Sequence, residues 1–249
     1  MRRLLYIFTL FVSTLSIQAE QFKALVFADA SDRWHGANVP VAKASFDLLA
    51  RKHFFDLTWV ESDAQFAKQT FANFDVIVFI SANPCDLDTE KRTEFANFVQ
   101  QGGGIVGVHA AAATAKEPNR WLWWETLLGR VFVDHPPRQS ALAHVTEPDF
   151  PACLHLAQTF LWTDEWYEFE TPFPRHLNIV LTVDEKSYKP TNKNKMGAHH
   201  PITWWHEKDG ARVFYTALGH ITESYEDPVF LQHLYGGIHW AVGERTPEW

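Results

Sequence analysis

Short apolar runs alternate with amphipathic stretches through the first half of the chain. Residues 23–28 (KALVFA) are apolar up to Asp29, as expected of a strand buried on both faces. Over residues 41–52 the apolar positions Val41, Ala44, Phe46, Leu48 and Leu49 recur near helical spacing. A second strand is predicted over 55–60 and a third over 76–80, where the run is Val-Ile-Val-Phe-Ile. Asp88 is placed to cap a following helix, with Glu90 in its first turn and an apolar face of Phe95, Phe98 and Val99. Gly102, Gly103 and Gly104 end that helix and lead into a fourth strand over 105–108. This βαβαβαβ order predicts a parallel sheet with helices on both faces.

The second half is less regular. Residues 121–128 read as a helix stopped by Gly129, and strand-like runs follow at 166–169, 178–183, 202–205 and 212–218. Residues 186–200 are polar, contain Pro190, Asn192 and Asn194, and read as an exposed loop. Asp227-Pro228 caps and starts a last helix, whose buried face is Phe230, Leu231, Leu234, Ile238 and Val242. No repeat, low-complexity tract or linker divides the chain.

The N-terminus departs from this pattern. Met1-Arg2-Arg3 precedes an almost unbroken apolar run over 4–17, then Gln18-Ala19 and the polar Glu20-Gln21. That order predicts a signal peptide over 1–19, an exported mature domain over 20–249 and no stable membrane span after cleavage. The chain holds 30 acidic and 22 Lys/Arg residues, a net charge of −8, and no basic run, which argues against nucleic-acid binding. Two cysteines exclude a CxxC-type zinc site. Whether Cys85 and Cys153 pair is left open, as is the oligomeric state, where a homo-oligomer is allowed. With 20 Phe and 11 Trp the chain has ample material for a core.

Ligands of open parallel sheets bind at the carboxyl ends of the strands. Those ends carry Asp29 followed by Ser31 to Gly36, then Ser81-Ala82-Asn83, then His109, then Gly219-His220 with Glu223. Three histidines at such ends, with acids nearby, form a candidate site. Trp34, Trp123 and Trp124 are candidate platforms for the C–H face of a sugar, although most of the tryptophans are expected in the core.

The same residues resemble a known family. The segment Gly102 to His109, the pair Trp34-His35, Gly129 with His135-Pro136, the run Asp164-Glu165-Trp166-Tyr167, the segment Gly210 to His220, and Gly236 to Ala241 are together similar to the motifs of the ThuA-like (trehalose utilisation) family. The resemblance extends over roughly residues 22–243. It implies the class I glutamine amidotransferase-like superfamily: an α/β fold, a flavodoxin-like three-layer α/β/α sandwich with a mostly parallel central sheet. It also implies a contrast in chemistry. True amidotransferases carry a nucleophilic Cys on the elbow after this strand, where this chain has His109. His220 with Glu223 stands where their His and acid would be, with one more residue between them. Cys-dependent glutaminase chemistry is therefore not expected.

The candidate residues suit two kinds of chemistry. His109, His220 and Glu165 are assigned as catalytic acid/base groups; Trp34, His35, His135, Asp164, Tyr167 and Glu223 as substrate contacts. His35, His109 and His220 could also hold a divalent metal such as zinc. His199-His200 is a poor ligand pair, because adjacent residues in a strand point to opposite faces and both rarely ligate one ion. One reading is an enzyme acting on a small-molecule carbohydrate: a disaccharide, a glycoside or a keto-sugar, through hydrolysis, elimination or isomerisation. The alternative is a non-catalytic carbohydrate-binding or scaffold domain on a degenerate amidotransferase fold.

Overall fold

A computed structural model describes residues 21–113, 118–191 and 195–243; the leader predicted over 1–19 lies outside them. The chain runs β1 (Lys23–Phe27), α1 (Val39–His53), β2 (Asp56–Val60), α2 (Asp63–Phe66), β3 (Val76–Ile80), α3 (Thr89–Gln100), β4 (Gly104–Val108) and α4 (Leu122–Leu128). It continues through β5 (Phe132–Asp134), β6 (Gln139–Val145), β7 (Thr159–Asp164), β8 (Glu168–Phe169), β9 (Asn178–Val183), β10 (Pro201–Lys208), β11 (Ala211–Thr216) and α5 (Pro228–Val242). Nine strands form one sheet in the order β2-β1-β3-β4-β11-β10-β9-β6-β7. The five from β2 to β11 are parallel neighbours, and from β11 onward the sheet continues in antiparallel pairs. Helices on both faces of this mostly parallel sheet make the three-layer α/β/α sandwich. Among the described residues no helix is long and apolar enough to cross a membrane.

The strands predicted from unbroken apolar runs form the centre. Every residue of β3 and of β4 is buried. Alternate residues feed the two faces. On one face Phe79 meets Trp124 of α4 at 4.8 Å and Phe95 of α3 at 5.9 Å between ring centres, in edge-on geometry. On the other, α5 lies against β4 and β11 so closely that a side chain at Gly104 would strike the Ala241 backbone. The two predicted helix caps form: Asp88 accepts from Lys91 N at 2.9 Å and Asp227 from Val229 N at 2.7 Å.

Several elements differ from expectation. The run 166–169 yields only the two-residue β8, which pairs with β5 in a separate small sheet. Trp166 and Tyr167 precede it as irregular backbone, because their side chains are drawn into the core and toward His109. Strands β6 and β7 were not anticipated: β6 buries only Ala141, Ala143 and Val145, too little apolar bulk to stand out. Cys85 and Cys153 are both buried and not joined in a disulfide, and burial pushes the Cys153 thiol up to about 12.

The packing makes two positions sensitive. A Cβ at Gly237 of α5 would enter the ring of Phe214, so Gly237→Ala should lower unfolding free energy by about 1–3 kcal/mol in urea titration. His233 is fully enclosed, its Nδ1 donating to the Ala152 carbonyl at 2.9 Å, and burial lowers its pKa from 6.5 to about 4. Below pH 6.5 the unfolded chain takes up a proton that the folded chain refuses, so stability falls as pH drops from 6.5 toward 4. The loss from this group reaches about 3 kcal/mol. His233→Gln should flatten the pH dependence of unfolding free energy across that window; an unchanged slope would assign the acid sensitivity to other groups.

Candidate active site

The carboxyl edge of the parallel strands collects four histidines and a glutamate that three of them face. The chain leaves β4 through His109 in a left-handed conformation, φ +52°, which costs a non-glycine residue about 1–3 kcal/mol. The surroundings over-determine that turn. Tyr215 OH donates to the His109 carbonyl at 2.8 Å, and the ring, with no exposed surface, sets Nδ1 2.8 Å from the Ala217 carbonyl. A carbonyl can only accept, so Nδ1 carries the proton and in the neutral ring Nε2 is the lone pair. Tyr167 OH sits 2.7 Å from that Nε2, and burial holds the phenol well above its usual pKa, so it donates.

His35 is set by the loop after β1. The Asp32 carboxylate accepts the backbone N–H of Trp34 (2.9 Å) and His35 (2.7 Å), and also the His35 ring Nδ1 (2.9 Å). The ring is fixed with Nε2 free. Gly36 is required here, since a Cβ would lie 2.5 Å from the Ala30 carbonyl oxygen. Burial lowers the His35 pKa to about 4, reinforced by His109 and opposed by Asp32.

His220 follows β11. Asp164, fully buried at the end of β7, accepts from Gly219 N (2.9 Å), His220 N (3.2 Å), Glu165 N (2.9 Å) and Trp162 Nε1 (3.3 Å). One carboxylate thus ties the His220 loop to Glu165. Asn38 adds a second tie, donating to the His220 carbonyl at 2.6 Å. Burial and the neighbouring His109 lower the His220 pKa.

Glu165 is the centre. Its Oε2 lies 3.2 Å from His220 Nδ1, 3.5 Å from His135 Nε2 and 3.6 Å from His109 Nε2. Burial alone would raise its pKa, but a proton held among the facing imidazoles, His109 first and then His220 and His135, outweighs that and brings it below the usual carboxylate range. His135, a third exposed, has its Nδ1 2.9 Å from the Pro136 carbonyl, which leaves Nε2 as another acceptor. Acceptors therefore outnumber donors around Glu165, an arrangement a shared proton or a cation would satisfy. Ligand atoms of His35, His109 and His220 all lie within 4.8 Å of one another. Their ring centres are 5.0–5.3 Å apart, close to the ~5 Å expected for imidazoles about 2.1 Å from one tetrahedral cation. This cluster could hold a metal ion.

The expected site residues divide accordingly. His35, His109, His135, Glu165, Tyr167 and His220 are brought together. Asp164 is not a substrate contact: it has no exposed surface and all its bonds run to the chain. Glu223 is also not at the cluster; it is exposed on the turn Thr222–Glu226 beside a separate groove with Leu161 and Asp227. Trp34 is 67% exposed next to His35, with the Arg33 guanidinium stacked on it at 4.3 Å, whereas Trp124 is core and Trp123 donates to Asp209. His199 is exposed, and His200 is buried with Nε2 donating to the Tyr167 carbonyl at 2.7 Å. Sequence reasoning did not give roles to Asp32, Asn38, the Ala217 carbonyl or His200. Asp32 alone had a signal, three residues before His35 in an Asx-type turn.

Comparison with known proteins places this architecture. A ThuA-like protein of Bacteroides uniformis ATCC 8492 superposes with a TM-score of 0.77 at 24% identity, covering 92% of this chain and 94% of that one. A second, from Parabacteroides merdae ATCC 43184, gives 0.68 at 18%, covering 91% and 92%. A GMP synthase protein of Thermoplasma acidophilum gives 0.51 at 11%, covering 89% and 94%, which shows the shared fold. No curated protein matches. The family model described as trehalose utilisation matches residues 23–241, and the chain belongs to that ThuA family, whose description ties it to carbohydrate use.

Proposed function

We propose that the chain is an exported enzyme that moves a proton on a carbonyl-bearing sugar, an isomerisation or elimination of a keto-sugar or keto-glycoside. The observation that carries this reading is the solitary working carboxylate. Hydrolysis by two opposed carboxylates needs two free acids across the scissile bond. Here Asp164 is buried and saturated, Asp32 is committed to His35, and among the described residues Glu165 alone faces the cluster with a free oxygen. Its depressed pKa keeps it ionised at neutral pH, ready to accept a proton. His220, beside Glu165, is placed to hydrogen-bond the oxygen on which charge develops. Trp34 offers an apolar face at the rim for the sugar ring.

The donor set also fits a divalent cation of borderline softness, held by His35, His109 and His220 with Glu165 beside them. When bound, such a cation would supply a Lewis acid for a sugar carbonyl. The chain's own part is to fix the imidazoles: Asp32 orients His35 and the Ala217 carbonyl orients His109. Asp164 holds the His220 backbone. The predicted leader and the family's tie to carbohydrate use support an exported role in sugar processing.

Two measurements test this. Turnover of a keto-glycoside panel should fall about 10²–10⁴-fold in Glu165→Gln, with the fold retained by circular dichroism; wild-type rates in that variant would remove Glu165 as the base. Elemental analysis of the tag-free protein should show one equivalent less of transition metal in His109→Ala and in His220→Ala than in wild type. Metal content unchanged from wild type in both variants would leave the trio without a metal role.

A further inference from the structure

A second pair of histidines stands apart from this cluster. His206 lies on β10, is 1% exposed, and neither of its ring nitrogens has a hydrogen-bond partner. The Leu127 carbonyl is near enough to favour its charged form without completing a hydrogen bond. A buried imidazole with both nitrogens idle is unusual, since buried polar groups are nearly always satisfied and each exception asks for a partner. The group facing it is another imidazole. His176, exposed on the segment between β8 and β9, has its ring centre 5.4 Å from that of His206, at an interplanar angle of 44°.

That separation is close to the 5.0–5.3 Å within the active-site trio and to the ~5 Å for two imidazoles on one tetrahedral cation. The pair lies toward the other end of the sheet. His206 pairs with Val213 near the start of β11, whereas His220 follows the end of that strand. Desolvation, with help from His176, lowers the His206 pKa to about 4, so at neutral pH its lone pair is available. Lys208, two residues along β10, is the charged group that opposes a cation here.

We propose that His176 and His206 form a second site for a divalent transition metal, of the zinc, nickel or copper class, toward the end of β10 that pairs with the start of β11. Two imidazoles come from the chain, and water completes the coordination on the exposed side of His176. Borderline cations suit imidazole donors, and hard cations such as magnesium do not. A metal there would clip the connection between β8 and β9 to β10, so its role is structural and separate from catalysis.

Zinc titration of the metal-free, tag-free full chain by calorimetry tests this. Wild type is expected to bind one zinc more than His176→Ala, a variant at an exposed position that should fold normally. Zinc should also raise the melting temperature of a His109→Ala/His220→Ala protein, and His176→Ala added to that background should abolish the shift. If the active-site trio holds no metal, wild type binds one zinc and His176→Ala none, so the two readings fail separately. Equal zinc stoichiometry in wild type and His176→Ala would overturn the proposal, as would a wild type that binds none.

Discussion

The Ala217 carbonyl accepts a hydrogen bond from His109 Nδ1–H at 2.8 Å inside the sheet edge, and the character of the site follows from that bond. It decides which ring nitrogen is free. It also needs β4 and β11 to be adjacent parallel strands in register, with Thr216 beside Val108, so that Ala217 comes level with the turn at His109. The sandwich supplies that register through packing on both faces of β4. Gly107 takes part because a side chain there would meet Leu128 of α4 at 2.6 Å. The strained backbone at His109 is kept because Tyr215 holds its carbonyl from one side and Tyr167 its ring from the other.

Around that ring the chain uses fixed acceptors to leave lone pairs pointing inward. Asp32 does this for His35, Ala217 for His109 and Pro136 for His135. Asp164 acts on backbone, joining the loop after β11 to Glu165, so that acid and histidine move as one body. Behind them His200 donates to the Tyr167 carbonyl, and its Nδ1 lies 3.1 Å from the Tyr188 hydroxyl, which can donate to it. The antiparallel half of the sheet thereby supports chemistry at the carboxyl edge of the parallel half.

The parallel half was legible in the sequence because burial on both faces demands continuous apolar runs, as at Val76–Ile80. Histidines 35, 109 and 220 were legible because strand ends are identifiable once strands are. What escaped was tertiary. Asp164 and Glu165 are neighbours in a short acidic motif, and nothing local shows that one is sealed inside and the other faces three imidazoles. Glu223 looked like a partner for His220, yet the turn at Thr222–Glu226 carries it outward. Strand β6 alternates small buried and exposed residues, a pattern with little apolar weight, and β7 carries Phe160, Leu161 and Trp162 without the alternation of a half-buried strand. His206 lies just past the strand read at 202–205, and that both its ring nitrogens are without partners shows only once β10 is packed.

The account depends on His109 carrying its proton on Nδ1, with Nε2 left as the acceptor that faces Tyr167 and the cluster. Long-range proton–nitrogen correlation of the histidine rings, recorded on the full chain with and without zinc, measures this directly. The expected spectrum shows His109 protonated at Nδ1 alone, with its Nε2 resonance shifting when zinc is added. A His109 protonated at Nε2, or an Nε2 resonance indifferent to zinc, would contradict it.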